Sequence, residues 1–396
     1  MSLNETPRSE RLHIGIFGKR NSGKSTLINA ITGHETALVS DVAGTTTDPV
    51  YKTMEIHGLG PCVLIDTAGF DDIGDLGAKR VEKTKEALQK TDIAIVVCTS
   101  PDLEDEFHWM NRLKKQNVPY IVAINKADMI ENIDEIVEKI ENTTKETPII
   151  ISAKDKLGMD SLIPSLMRKL PEDYDGIRIV SDLVNEEDVV LLVMPQDIQA
   201  PKGRLILPQV QTLRELLDRK CIVLSCTTDK LDNALNSLKE APKLIITDSQ
   251  VFKTVYDKKP EKSMLTSFSV LFANYKGDIE YFRKSATVID TLTKDSKVLI
   301  AEACTHAPLQ EDIGREKLPK MLRKKIGEEL TIDIRSGHDF PKDLRQYDLI
   351  IQCGACMFNR KYVLNRVELA KEQGVAMSNY GVVIAYLSGI LDKINF

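Results

Sequence analysis

The segment Gly18-Lys-Arg-Asn-Ser-Gly23-Lys24-Ser25 has the G-x-x-x-x-G-K-[ST] spacing of a phosphate-binding loop. Its glycines let backbone N–H groups curl round phosphates, and the helix expected next adds the partial positive charge of its N-terminus. Lys24 is expected to bridge β- and γ-phosphate oxygens and the Ser25 hydroxyl to ligate Mg²⁺, with Gly18, Asn21, Ser22, Gly23 and Thr26 lining the same pocket. Asp66-Thr-Ala-Gly69 follows the apolar run Val63–Ile65, which sets Asp66 to hold Mg²⁺ through water and the Gly69 N–H to reach the γ-phosphate. In Asn125-Lys126-Ala-Asp128 a fixed carboxylate at Asp128 can accept from guanine N1–H and N2–H₂, a donor pair that adenine lacks. Ser152-Ala153-Lys154 would complete the base pocket with backbone N–H groups aimed at guanine O6. Between loop and Asp66 lies Gly44-Thr45-Thr46-Thr47-Asp48, a candidate switch segment. Thr46 is taken as the Mg²⁺ ligand and, with Lys24 and Gly69, as catalytic, although Thr45 and Thr47 are chemically equal to it.

A second group of residues has ligand spacing. Cys304-Thr-His306 follows the apolar run Val298–Ala301, and Cys353-Gly-Ala-Cys356 follows Leu349–Gln352. Both pairs would stand at strand ends that neighbouring strands bring together. Three thiolates can hold three irons of a 4Fe-4S cube and leave the fourth for a weaker ligand. A Cys₃His zinc site fits the same four residues, and three unrelated core cysteines fit the spacing too. Cys62, Cys98, Cys221 and Cys226 lie in or beside apolar runs and read as small core residues.

Elements must position these groups. Short apolar runs at His13–Phe17, Val63–Ile65, Ile93–Cys98, Tyr120–Ile124 and Pro148–Ile151 alternate with amphipathic stretches, the pattern of a mostly parallel sheet covered by helices. With four motifs in order at its strand ends, this stretch reads as a Ras-like α/β P-loop GTPase domain over residues 1–172. Two smaller β/α domains are expected to follow, at 176–262 and 263–396. Strands are expected in the first at Val189–Val193, Cys221–Leu224 and Leu244–Ile246, and in the second at Val298–Ala301, Thr331–Ile334 and Leu349–Gln352. Helices are read near Val210–Arg219, Leu231–Leu238, Arg315–Lys325, Lys361–Lys371 and Gly381–Leu391. The linker-like Pro171-Glu-Asp-Tyr-Asp-Gly176 and the charged Asp257-Lys-Lys-Pro-Glu-Lys262 mark the boundaries. At 396 residues, 42% apolar and 28% charged, the chain is too long for one ordinary core and too apolar for disorder. A net charge of −6 gives no general attraction to nucleic acid or anionic lipid, so neither is expected as a partner. No apolar run approaches a membrane span, and seven cysteines without a leader peptide argue against a disulfide framework. A cytoplasmic protein is expected.

The nucleotide motifs resemble the Era, MnmE and Der group of GTPases over about the first 170 residues. That resemblance implies a K⁺ ion held at Asn21. It also puts Phe70 where Ras-type proteins carry a water-orienting glutamine, so hydrolysis should need a cation or a partner. The whole chain, with Ala303-Cys-Thr-His-Ala-Pro308 and Cys353-Gly-Ala-Cys-Met-Phe358, resembles the HydF family of FeFe-hydrogenase maturation GTPases. Membership would imply a dimerising middle domain and a 4Fe-4S cluster on Cys304, Cys353 and Cys356. It would also imply a scaffold that works with radical-SAM maturases and delivers a diiron precursor to apo FeFe-hydrogenase. The chain departs from that pattern at Gln352, where many members carry a histidine; an amide is a poor iron ligand. His306, a nearby acid, water or another molecule would then fill the fourth site, with His338 a more remote candidate. The rival readings are a ribosome- or RNA-associated GTPase with a C-terminal zinc or structural cysteine site, and a GTP-regulated iron–sulfur redox enzyme. The latter lacks any flavin, nicotinamide or radical-SAM motif.

Overall fold

A computed structural model describes residues 6–33, 49–69, 75–171, 174, 178–195, 205–303 and 312–396. The chain divides into two compact units, Met1–Asp175 and Gly176–Phe396.

The first unit is built on strands β1 (Leu12–Gly18), β2 (Val50–Ile56), β3 (Gly60–Asp66), β4 (Ile93–Cys98), β5 (Tyr120–Ile124) and β6 (Ile149–Ile150). Their order is β2-β3-β1-β4-β5-β6, parallel except for β2, which runs antiparallel to β3. Every residue of β1 and β4 is buried, because helices cover both faces of a parallel sheet and leave no polar side. The period of two still sorts the side chains: Ile93, Ile95 and Val97 of β4 enter one apolar core, while Ala94, Val96 and Cys98 enter the other. Helix Lys24–Thr32 adds Leu27 and Ile28 to the first core, and helix Glu104–Lys115 adds Trp109, Met110 and Leu113 to the second. Each such side chain stabilises by roughly 1.5–3 kcal/mol. That burial fixes the C-terminal ends of β1, β3, β5 and β6, which carry the four motifs.

The second unit holds two four-stranded parallel sheets. One comprises β7 (Val189–Val193), β8 (Ile222–Cys226), β9 (Leu244–Thr247) and β10 (Met264–Ser267) in the order β10-β9-β7-β8. The other comprises β11 (Lys297–Glu302), β12 (Thr331–Ser336), β13 (Leu349–Gln352) and β14 (Ala376–Asn379) in the order β12-β11-β13-β14. One apolar core takes Leu191, Ile245 and Leu265 from the first sheet and Leu299, Ile350 and Met377 from the second. This shared core makes the two sheets one unit.

Several elements differ from the sequence reading. β10 hydrogen-bonds to β9, so the middle sheet runs past a boundary at residue 262. Residues Asp257 and Lys258 close helix Phe252–Lys258 instead of beginning a linker. The helix expected at Arg315–Lys325 is a π turn, Ile313–Lys317, followed by an α-helix, Leu318–Ile326, with Pro319 in its first turn. Proline has no N–H to bond back, which suits that position. The helix expected at Gly381–Leu391 is Tyr380–Leu387, started by the Asn379 side chain, which accepts from the Gly381 N–H. Among the described residues no helix is long and apolar enough to cross a membrane.

Candidate nucleotide and cysteine sites

The phosphate loop leaves β1 and enters helix Lys24–Thr32 with Asn21 at φ 57° and Gly23 at φ 85°, both left-handed. Gly23 is required there twice over, since a Cβ would also fall 2.3 Å from Asn125 Nδ2. The Lys24 ammonium is buried and donates to the carbonyls of Gly18 (2.9 Å) and Lys19 (2.8 Å), which holds it over the mouth of the loop. Ser25 Oγ, in the first turn of helix Lys24–Thr32, donates to Asp66 Oδ2 at the end of β3 at 2.7 Å, so two of the expected Mg²⁺ ligands meet. The other oxygen, Asp66 Oδ1, is buried with no hydrogen-bond partner among the described residues, a place that a cation fits. Burial pushes the Asp66 carboxyl above its ordinary range, opposed by Ser25, Lys24 and Lys52.

Asn125 ties the pocket together. Its Nδ2 donates to the Ser22 carbonyl at 2.9 Å and its Oδ1 accepts from the Ala153 N–H at 3.0 Å, linking phosphate loop to base loop. Ser152 Oγ donates to Asp155 Oδ2 and steadies that loop's turn. Lys126 takes a left-handed φ of 61° and Asp128 stands exposed beyond it, open to a base edge. Gly69 ends the described stretch after β3; Thr46 and Phe70 lie outside the described residues.

β11 and β13 are neighbours, with Ala301 opposite Gln352, so the ends carrying the two cysteine segments lie side by side. The Ala303 N–H donates to Cys353 Sγ at 3.0 Å, which holds the backbone one residue before Cys304 against that sulfur. The Ala355 N–H, in a residue with left-handed φ of 50°, donates to the same sulfur at 3.4 Å. Asn379 Nδ2 donates to the Cys353 carbonyl at 3.2 Å, and the buried Lys276 donates to the Phe358 carbonyl at 2.8 Å, fixing both ends of the C-x-x-C loop. Burial pushes the Cys353 thiol up to about 11, helped by Cys356 and opposed by the two N–H donors and Arg366. Such a thiol gives up its proton when a metal takes its place. Cys356 is half-buried beside it. Cys304 and His306 lie outside the described residues, and among those described no group of three His, Cys, Asp or Glu side chains is placed to hold a metal. Gln352 is 2% exposed with its Oε1 unpartnered among the described residues. Cys62, Cys98 and Cys221 are buried and Cys226 half-buried, packed with apolar neighbours as expected of core residues.

Residues 179–277 match the hydrogen maturase F dimerization domain and residues 280–395 the hydrogen maturase F tetramerization domain, together more than half of the chain. The chain belongs to the hydrogen maturase F family. Residues 13–126 match the 50S ribosome-binding GTPase family, and the first unit is a P-loop GTPase domain. The chain thus matches two oligomerisation domains, where the sequence reading expected a dimerising one alone. GTPase Der of Wolinella succinogenes is 34% identical over 196 residues, covering 46% of this chain and 40% of the relative. The tRNA modification GTPase MnmE of Heliobacterium modesticaldum is 34% identical over 173 residues, covering 42% of this chain and 36% of the relative. The matches therefore span well under half the length of these curated relatives. Era in complex with MgGDPNP and a segment of 16S ribosomal RNA aligns at 22% identity and a TM-score of 0.38, covering 54% of this chain and 92% of that one.

Two charged groups in this family member escape sequence reasoning. Lys19 Nζ donates to the Asp102 carbonyl and carboxylate, both at 2.9 Å, and lies 3.4 Å from the buried Glu106 carboxylate, pinning the loop to helix Glu104–Lys115. Burial works to lower the Lys19 pKa, but Asp102, Glu106 and Asp105 outweigh it and leave it raised. The other group, Arg366, is buried among the rings of Phe340, Phe358 and Tyr362. His338 stacks on Phe358 and its Nδ1 lies 3.2 Å from Tyr362 Oη, so its ring belongs to that aromatic group.

Proposed function

We propose that the chain is a GTP-hydrolysing scaffold that carries a 4Fe-4S cluster on Cys304, Cys353 and Cys356. It would assemble or deliver the diiron subcluster precursor to apo FeFe-hydrogenase. The radical-SAM maturases supply that precursor, and the chain works as a homo-oligomer in the cytoplasm. The observation that carries this reading is the hydrogen bond from Ala303 N–H to Cys353 Sγ, which brings the approach to Cys304 within one residue of the C-x-x-C thiols. N–H donors aimed at a sulfur suit a thiolate that ligates iron. The cluster, when bound, supplies an anionic iron site with one exchangeable position; Cys304, Cys353 and Cys356 would hold it, and His306 or an outside ligand would complete it in place of Gln352. The ribosome- or RNA-associated alternative has the GTPase match on its side. Two hydrogenase-maturation domains over the remaining chain weigh against it. Anaerobically purified protein should be brown, with about four irons and four sulfides per chain; colourless protein with one zinc would favour the alternative.

In the GTPase unit the proposed roles are those that the motifs suggest. Lys24 neutralises phosphate charge, Ser25, Asp66 and Thr46 hold Mg²⁺, the Gly69 N–H meets the γ-phosphate, and Gly18, Asn21, Ser22, Gly23 and Thr26 line the phosphates. Asn125, Lys126, Asp128, Ser152 and Ala153 form the base pocket. Asp128 accepting two guanine donors is worth about 1.5–3 kcal/mol per charge-assisted bond, so Asp128→Asn should weaken GTP roughly 10²–10⁴-fold. The variant should accept xanthosine triphosphate instead, whose base presents an oxygen to the new amide. Competition binding of GTP, ATP and xanthosine triphosphate checks this; a wild type that binds ATP and GTP alike would refute it. Asn21 is exposed at the loop's tip and is proposed to ligate K⁺ beside the phosphates, a positive charge otherwise supplied by an arginine. Turnover should be severalfold faster in K⁺ than in Na⁺ at matched ionic strength, and equal rates would remove the role.

A further inference from the structure

Arg366 lies in helix Arg360–Glu372 and is 4% exposed. Its guanidinium carbon sits 4.5, 4.7 and 4.9 Å from the ring centres of Phe340, Phe358 and Tyr362, and Nη2 donates to the Gly337 carbonyl at 2.7 Å. Nε and Nη1 are buried with no hydrogen-bond partner among the described residues, and the guanidinium's side-chain partner, the Tyr362 hydroxyl, is neutral and supplies no counter-charge. A guanidinium stays charged, and a buried charge without a counter-ion is costly; ring faces recover only part of that cost. Something negative belongs nearby. Phe358 and Tyr362 form one apolar cluster with Ala303 and Ala355, and Cys353 packs against it. The walls of the cation's box are therefore also the walls of the thiol site.

We infer that Arg366 is the built-in counter-charge of an anionic metal centre held at Cys353 and Cys356, an inference that rests on the cluster reading above. A fixed positive charge favours whichever redox state is more negative, so Arg366 raises the reduction potential of the centre and slows loss of iron. Arginine suits the position better than lysine because its flat, delocalised charge stacks on three rings.

The test uses the full-length chain, purified anaerobically, as wild type, Arg366→Met and Arg366→Lys, with iron content and a dithionite titration followed by electron paramagnetic resonance. At the wild-type midpoint, Arg366→Met should hold about a tenfold smaller ratio of reduced to oxidised cluster, equivalent to about 59 mV for one electron. Arg366→Lys, which keeps the charge, should stay near wild type. In iron-free protein Arg366→Met should melt above wild type, because the buried charge left without its anionic partner is gone. Wild-type iron content and midpoint in Arg366→Met would overturn the inference and leave the cluster reading intact. Should that variant fail to fold, an Arg366→Lys midpoint displaced well away from wild type would overturn it equally. A wild type without iron would remove the cluster reading, and this inference with it.

Discussion

Cys353→Ser is expected to lose most of the iron of the chain, with GTP turnover unchanged. The sulfur is the focus of its loop: two N–H donors aim at it, Ala303 from just past the end of β11 and Ala355 from the loop itself, and the loop's ends are tied by Asn379 and Lys276. A cube with three strong thiolates keeps two anchors after any one is removed, and the remaining irons are then open to solvent and chelators. The loss in Cys304→Ser, Cys353→Ser and Cys356→Ser should therefore be most of the metal in each, not a third. His306→Ala should lose less, since a ligand at an exchangeable iron orients more than it holds. Cys221→Ser is the control: its thiol is buried under the middle sheet, 3.3 Å from the Asn185 carbonyl. Iron, sulfide and GTP turnover measured on all five variants decide the matter. Iron kept in Cys353→Ser, or lost as readily from Cys221→Ser, would show that the ligands are wrongly chosen.

Lys24→Ala should lower GTP turnover by about 10²–10³-fold while leaving iron content untouched. Its ammonium donates to the Gly18 and Lys19 carbonyls of its own loop, and the surrounding apolar core is built without it, so removing it should spare the fold. What is lost is a buried, pre-placed cation where phosphate charge grows, and removing one such electrostatic donor costs about 2.7–4 kcal/mol of barrier. Single-turnover hydrolysis at saturating GTP and Mg²⁺ measures the step. Turnover within a few-fold of wild type would mean that Lys24 does not face the phosphates.

Where one element carries its own signal, the sequence is readable. β1 and β4 are buried on both faces, so they appear as unbroken apolar runs, and the phosphate loop's spacing is local. β2 is an edge strand with an exposed face, and its Val50-Tyr-Lys-Thr-Met-Glu-Ile56 shows no apolar run to read. β10 and β14 are four residues each, MLTS and AMSN, buried by neighbours and not marked by their own hydropathy. The charged run Asp257 to Lys262 read as a boundary for that reason, whereas it ends helix Phe252–Lys258 and leads into β10 of the same sheet. In the nucleotide site Asn125 was legible as a motif residue, but its bond to the Ser22 carbonyl spans 103 positions and follows from the fold. The Lys19 pairing with Asp102 and the ring box around Arg366 are of the same kind: Lys19, Asp102 and Arg366 are ordinary surface residue types until tertiary packing closes on them.

The central claim is that one chain joins a GTPase to a cysteine-held cluster for hydrogenase maturation. Activation of apo FeFe-hydrogenase, with the radical-SAM maturases and GTP present, tests it most directly. Wild type should restore hydrogen evolution. Cys353→Ser should not, although it hydrolyses GTP at the wild-type rate. Hydrogenase activated as well by Cys353→Ser as by wild type would contradict the claim.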